Sequence, residues 1–232
     1  MTNTLQHSIS RRHLTAASAA LTLAVVLGLG VATQSAQAQT FKVLYNFTGG
    51  SDGGRPIGQP VIDDNGNIFG TATLGGSGNG DYGYGTVWEY SSDGTFSVLH
   101  SFDGTNAAGP SAGVKLEKGN LFGTTQYDGS YDYGTAFEIT SSRTFILLYT
   151  FGSQNNDPDR PDGAVVLDTA RNVYGTSYNG GSSQNCYSGC GTVWKLSGGG
   201  SETVLHSFDG SDGRFPALVH RNLIRFGTGR RL

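Results

Sequence analysis

One seven-residue phrase occurs four times in this chain, as FKVLYNF (41–47), FSVLHSF (96–102), FILLYTF (145–151) and ETVLHSF (202–208). The starts lie 55, 49 and 57 residues apart. A second phrase keeps step with it: YGYGTVWEY (82–90), YDYGTAFEI (131–139) and, altered, YSGCGTVWKL (187–196). Self-similarity at such a period confines a chain to architectures built of small modules, each burying its apolar face only against its neighbours.

Between the two phrases every unit is punctuated alike. A Gly/Asp/Ser loop ends at Pro56, Pro110, Pro161 or Pro216, and an apolar stretch with a turn follows: VIDDNGNIFGT (61–71), VKLEKGNLFGT (114–124) and VVLDTARNVYGT (165–176). In the first unit this predicts four strands, A (41–47), B (60–63), C (67–71) and D (85–90), with equivalents downstream. Strand A alternates, with Phe41, Val43, Tyr45 and Phe47 on one face. Asp63 to Asn67 supplies hairpin residues between B and C. No stretch after residue 38 holds helical spacing. The expected fold is all-β, a β-propeller-like array of four-stranded repeats that is incomplete as written. A β-solenoid-like stack is the alternative. The 37 glycines follow no three-residue period, which excludes collagen.

The first 38 residues read as a signal peptide: Arg11 and Arg12, an apolar run over 16–32, and Ala36-Gln37-Ala38 before the expected cleavage. SRRHLT (10–15) resembles a twin-arginine signal, with the general secretory route as the alternative. The remaining domain, 39–232, divides into repeats 41–95, 96–144 and 145–201 and a truncated 202–232. It holds 13 basic and 18 acidic residues, a balance that argues against nucleic acid as a partner. After signal removal no membrane span is expected, and the protein is expected in the periplasm or outside the cell.

Antiparallel order puts the A–B and C–D loops at one end of each module. The C–D loops, 72–84, 125–133 and 177–190, are long and unequal, and carry Tyr82, Tyr84, Tyr127, Tyr131, Tyr133, Tyr178 and Tyr187. Tyrosine offers a flat face and a hydroxyl, suited to stacking on sugars or gripping a peptide. Tyr82, Tyr84, Tyr131, Tyr133, Tyr178 and Tyr187 are the candidate ligand-binding residues; the competing reading is that such tyrosines cover module edges. Cys186 and Cys190 are expected to form a disulfide, free thiols or a metal site being the alternatives. DDNGN (63–67) has a passing likeness to the start of a calcium loop but is better read as a turn. No metal site or cofactor is expected. His100 and His206 occupy the position of Tyr45 and Tyr149, so they read as strand residues rather than bases. No nucleophile elbow is present, and no catalytic residue is assigned.

Through the pattern VLY.F…G..P…V.D..GN(I/L)(F/Y)GT…YGTV(F/W)E, carried convincingly over 41–208, the chain resembles the GloVer tandem-repeat proteins of bacteria, a choice-of-anchor family. That resemblance implies secretion and the repeat architecture, and it names no activity. The end departs from the pattern: ALVHRNLIRFGTGRRL (217–232) lacks the Asp-x-x-Gly-Asn turn and carries Arg221, Arg225, Arg230 and Arg231. A truncated or frame-shifted end is expected, with a basic interaction patch as the alternative. The expected function is a secreted scaffold that binds a glycan or surface protein. An extracellular carbohydrate-active hydrolase or lyase and a truncated structural fragment are the alternatives.

Overall fold

The computed structural model describes residues 40–78, 82–105, 107–219 and 223–226. The expected signal segment, 1–38, and Arg221, Arg230 and Arg231 lie outside these residues. Among the described residues there is no helix, and the strands gather into consecutive antiparallel sheets.

The first sheet runs β1 (Val61–Ile62), β2 (Ile68–Ala72), β3 (Thr86–Tyr90) and β4 (Phe96–Ser101) in that order. The second runs β5 (Lys115–Glu117), β6 (Asn120–Thr125), β7 (Thr135–Ile139) and β8 (Phe145–Thr150). A short β9 (Pro158–Pro161) pairs with β11 (Val173–Gly180) at the rim of the third sheet, β10 (Val166–Leu167), β11, β12 (Thr192–Leu196) and β13 (Glu202–Ser207). A hairpin follows, β14 (Pro216–Val219) with β15 (Leu223–Phe226). Its sequence lacks the Asp-x-x-Gly-Asn pattern of residues 63–67.

Each sheet therefore takes strands B, C and D from one repeat and A from the next, so the sheet is out of phase with the repeated phrase by one strand. The first A segment shows the consequence. Residues 41–47 were expected as a strand but have no strand assignment, because a sheet of this kind holds A through a preceding D. Tyr45 and Phe47 nonetheless pack as rings of an A strand would. Tyr45 stacks on Phe96 at 3.8 Å and Phe47 meets Trp88 edge-on at 5.5 Å.

Simple alternation also fails along the later A strands. The register slips opposite Val87/Trp88, Ala136/Phe137 and Val193/Trp194, leaving Leu99, Leu148 and Leu205 as the extra residue of a bulge. A bulge turns the strand. Phe96 thus faces back to Tyr45, while His100 faces forward and stacks on Phe145 at 3.9 Å.

The recurring letters have specific packing duties. The glycine of FGT or YGT in strand C lies beneath the ring in strand D. A Cβ on Gly70 would stand 2.4 Å from Trp88, on Gly123 2.5 Å from Phe137, and on Gly175 2.2 Å from Trp194. The glycine that opens strand D has φ of 97° at Gly85, 89° at Gly134 and 98° at Gly191, and is where the next repeat's proline seats. Cβ atoms there would lie 2.6, 2.9 and 2.6 Å from Cδ of Pro110, Pro161 and Pro216. Asn67 and Asn120 bind the two short turns of a module together, accepting from the Ser92 and Ser141 N–H groups at 2.9 Å.

Apolar cores fill the joints between sheets. Val87, Phe102, Val114, Leu121, Phe137 and Ile139 are buried between the first and second sheets. Phe122, Phe151, Val165, Val173, Trp194 and Leu196 are buried between the second and third. Each large side chain fully buried contributes about 1.5–3 kcal/mol, and none could be buried by an isolated sheet. Across the same joints Glu89 accepts from Arg143 and Glu138 from Arg171, both at 2.7 Å. Stacked four-stranded sheets with cores between them make the fold propeller-like.

Candidate functional site

The loops after strands A and C do lie together. Tyr131 and Tyr133 of the second C–D loop and Tyr187 of the third line one cleft of about 540 Å³ with Tyr178, Asp132, Asp159, Arg160, Asn179 and Phe215. Tyr178 lies near the end of β11, which runs into the stretch 177–190 expected as loop. Tyr187 is 96% exposed, and Tyr178 stacks on Phe215 at 4.3 Å with the rings 8° from parallel. A neighbouring cleft of about 360 Å³ shares Tyr133, Asp159 and Ser188 and adds Gln154, Asn155 and Asn156. The two clefts adjoin at these shared residues, a groove of aromatic faces edged by amides and carboxylates.

Local structure fixes this groove. Arg160 precedes Pro161 with φ of 54°, as Arg55 precedes Pro56 at 56° and Phe215 precedes Pro216 at 55°. That left-handed turn lets the Arg160 N–H donate to the Tyr133 carbonyl at 3.0 Å and sets the guanidinium 5.6 Å from the Tyr127 ring centre. Asp159 is buried, and burial pushes its carboxyl up, against a hydrogen bond from Asn179 and the charge of Arg160. The carboxyl of Asp128, near the groove, is likewise raised, by burial and by Asp132 and Asp103.

The six candidate tyrosines do not form one site. Tyr82 is 76% exposed on the first C–D loop and does not line this groove. Tyr84 is partly buried and covers Gly104, whose Cβ would lie 2.5 Å from the ring. Tyr133 covers Gly152 in the same way, so it belongs both to the groove and to the module edge. In the third module the equivalent residue is Cys190, and the Cys186–Cys190 disulfide is formed. Its sulphurs lie 3.7 and 4.0 Å from the place of a Gly210 Cβ, so the disulfide stands where the other two modules put a tyrosine ring. Sequence reading missed Arg160, Asn179 and Phe215, and read Asp159, in the acidic loop 155–159, as a turn residue rather than a calcium ligand. The one available signal was that Arg160 and Phe215 immediately precede the recurring prolines.

The other candidates have structural employment. His100 is stacked on Phe145, and burial holds its pKa below the usual histidine value against the charge of Asp103. His206 meets Asp212 at 2.8 Å, matching Tyr45 with Asp52 and Tyr149 with Asp157. The carboxylate of Asp63 accepts N–H groups of Asn65 and Asn67 at 2.9 and 2.8 Å, the bonding of a turn. A larger cleft, about 580 Å³, opens on the short-turn face between the first two sheets, around Glu89 and Arg143. Its counterpart around Glu138 and Arg171 recurs at the next joint, so we attribute both to sheet packing. Among the described residues no helix is long and apolar enough to cross a membrane.

Two solved structures resemble the chain weakly. A luciferin-regenerating enzyme is 14% identical with a TM-score of 0.42, over 69% of this chain and 48% of that one. A putative gluconolactonase is 14% identical with a TM-score of 0.40, over 71% and 52%. The chain thus spans about half the length of each. No curated protein sequence matches it. The profile of the Gloeobacter/Verrucomicrobia repeat matches residues 27–185 and 77–228. Its two matches run through all the strands and turns described above, and the chain belongs to the Gloeobacter/Verrucomicrobia repeat family.

Proposed function

We propose that this chain is an exported repeat scaffold that binds a glycan in the tyrosine groove between its second and third modules. The observation that carries the reading is the convergence of Tyr131, Tyr133, Tyr178 and Tyr187 on one cleft. Flat aromatic faces take the apolar faces of sugar rings, and the exposed Asp132 and Arg160 offer hydroxyl partners at the rim. A disulfide supports export, since such bonds persist outside the reducing cytosol.

The test is calorimetric titration of the purified chain with soluble β-glucan oligosaccharides and peptidoglycan fragments. Tyr131→Ala and Tyr187→Ala should each weaken binding about tenfold, the scale of one stacking contact. Tyr82→Ala should leave it unchanged. Equal affinities in all three variants would remove the groove from consideration. Release of reducing ends during the titration would add hydrolysis to binding.

A further inference from the structure

At the outer edge of the sheets a ladder of rings joins module to module, and its third step is not a ring. The first residue of β4 is Phe96, opposite Tyr90, and Tyr45 stacks on it at 3.8 Å. The first residue of β8 is Phe145, opposite Ile139, and His100 stacks on it at 3.9 Å. By the same register the first residue of β13, opposite Leu196, is Glu202, and the side chain due to stack on it is Tyr149. A carboxyl group stands where the fold otherwise places an aromatic face.

The surroundings suit a neutral group better than a charge. Glu202 Oε1 is buried and has no hydrogen-bond partner. The Tyr149 hydroxyl is already engaged with Ser153 at 2.8 Å, Asp157 at 3.3 Å and Gln154 at 3.3 Å. Asp157 is itself buried and held by N–H groups of Gly152 and Gln154 at 2.9 and 3.0 Å. From β8 and the loop after it, then, Glu202 is faced by a phenol and a carboxylate. The cations of adjoining elements act elsewhere: Lys195 of β12 lies over the Tyr174 ring, and Arg171 pairs with Glu138. The side chain as a whole is half-buried, and a carboxylate half-buried without a cation or a full set of donors is disfavoured against its protonated form.

We propose that Glu202 is a proton-operated latch: protonated, it completes the ring ladder and closes the joint between the second and third sheets, and ionised, it loosens that joint. Burial and the charge of Asp157 push the carboxyl up to about 7 from its ordinary 4.5. The folded chain therefore holds the proton more tightly than the unfolded chain does. The penalty is absent below the unfolded value, grows as pH rises from there, and is complete above about 7. The latch acts in the range where an external medium passes from acid to neutral.

The experiment compares thermal melts of the purified chain and of Glu202→Gln and Glu202→Phe between pH 5 and 8. The natural chain should lose several degrees of Tm across this range. Glu202→Gln, uncharged at every pH, should be flatter by that amount, and Glu202→Phe should exceed the natural chain at pH 8. Trp88→Phe leaves Trp194, buried in this joint, as the single tryptophan reporter. Its quenching by acrylamide should rise with pH through about 7, and should not do so once Glu202→Gln is added. Parallel melting profiles for the natural chain and Glu202→Gln, or a Trp194 response unaffected by Glu202→Gln, would overturn the proposal.

Discussion

Replacing both cysteines of the third module by alanine measures what the disulfide contributes. Cys190 is fully buried at the start of strand D, and Cys186 lies four residues before it. Closing a loop of about five residues removes about 7 cal/mol/K from the unfolded chain, or about 2 kcal/mol at 25 °C. For a folded region of about 190 residues, each kcal/mol shifts Tm by about 2–4 °C, so Cys186→Ala/Cys190→Ala should lower it by about 4–8 °C. A second variant separates the crosslink from the cover it provides. Cys186→Ala/Cys190→Tyr puts back the ring that Tyr84 and Tyr133 lay over Gly104 and Gly152. Burying that ring over Gly210 should recover about half the loss, at about 1 kcal/mol or more. Calorimetry with and without reductant is the assay, and the natural chain under reductant should approach the alanine pair. If the alanine pair melts within a degree of the natural chain, the small-loop entropy argument fails. If the tyrosine variant is no better than the alanine pair, the disulfide is not a substitute for a ring.

Gly134→Ala should cost about 3 kcal/mol, combining about 1–2 for an alanine at φ of 89° with about 1–3 for a methyl against the Thr125 carbonyl and Pro161; a Tm within two degrees of the natural chain would show that this close-packed glycine position tolerates a methyl. Arg143→Gln should cost about 1 kcal/mol, discounted because the arginine is 59% exposed, and a denaturant midpoint that does not move would show the inter-sheet pair to be idle. Hydrogen bonds from Asn172 hold the Asp168 carboxyl below the ordinary carboxylate range, and those from Ser211 do so for Asp209. Their stabilisation is present above the unfolded carboxylate pKa and is lost as pH falls through the lower folded values. The pH–Tm curve should therefore fall on the acid side below about 4 as well as on the Glu202 side, and Asp168→Asn should flatten only the acid limb.

Much of the site was legible as a set of loops but not as a place. The tyrosines of the long C–D loops were visible at once, because loop length and aromatic content are local properties. Which of them meet depends on two loops from different modules, and on Arg160 and Phe215 turning left-handed before a proline. Tyr84 and Tyr133 share one position and one glycine-covering duty, yet only Tyr133 lines the groove. The difference lies in their neighbours, which no single repeat contains.

The sequence by itself determined the period, the all-β character and the turn chemistry, since each rests on contacts a few residues apart: Asp63 to Asn67, Phe102 after His100, Cys186 to Cys190. It could not determine where a module begins, because a periodic string has no intrinsic starting point. Tertiary structure decided that strand A joins the preceding strand D, and with it that the first A segment, 41–47, is left out of any sheet. It decided the bulge that turns His100 away from the face of Phe96. It also gave Glu202 its meaning, for a glutamate at the head of a strand is unremarked until pairing puts it at the register position of a phenylalanine, within electrostatic reach of Tyr149 and a second carboxylate. Those outcomes are set by pairing and burial between units, where the free energy of a repeat fold resides.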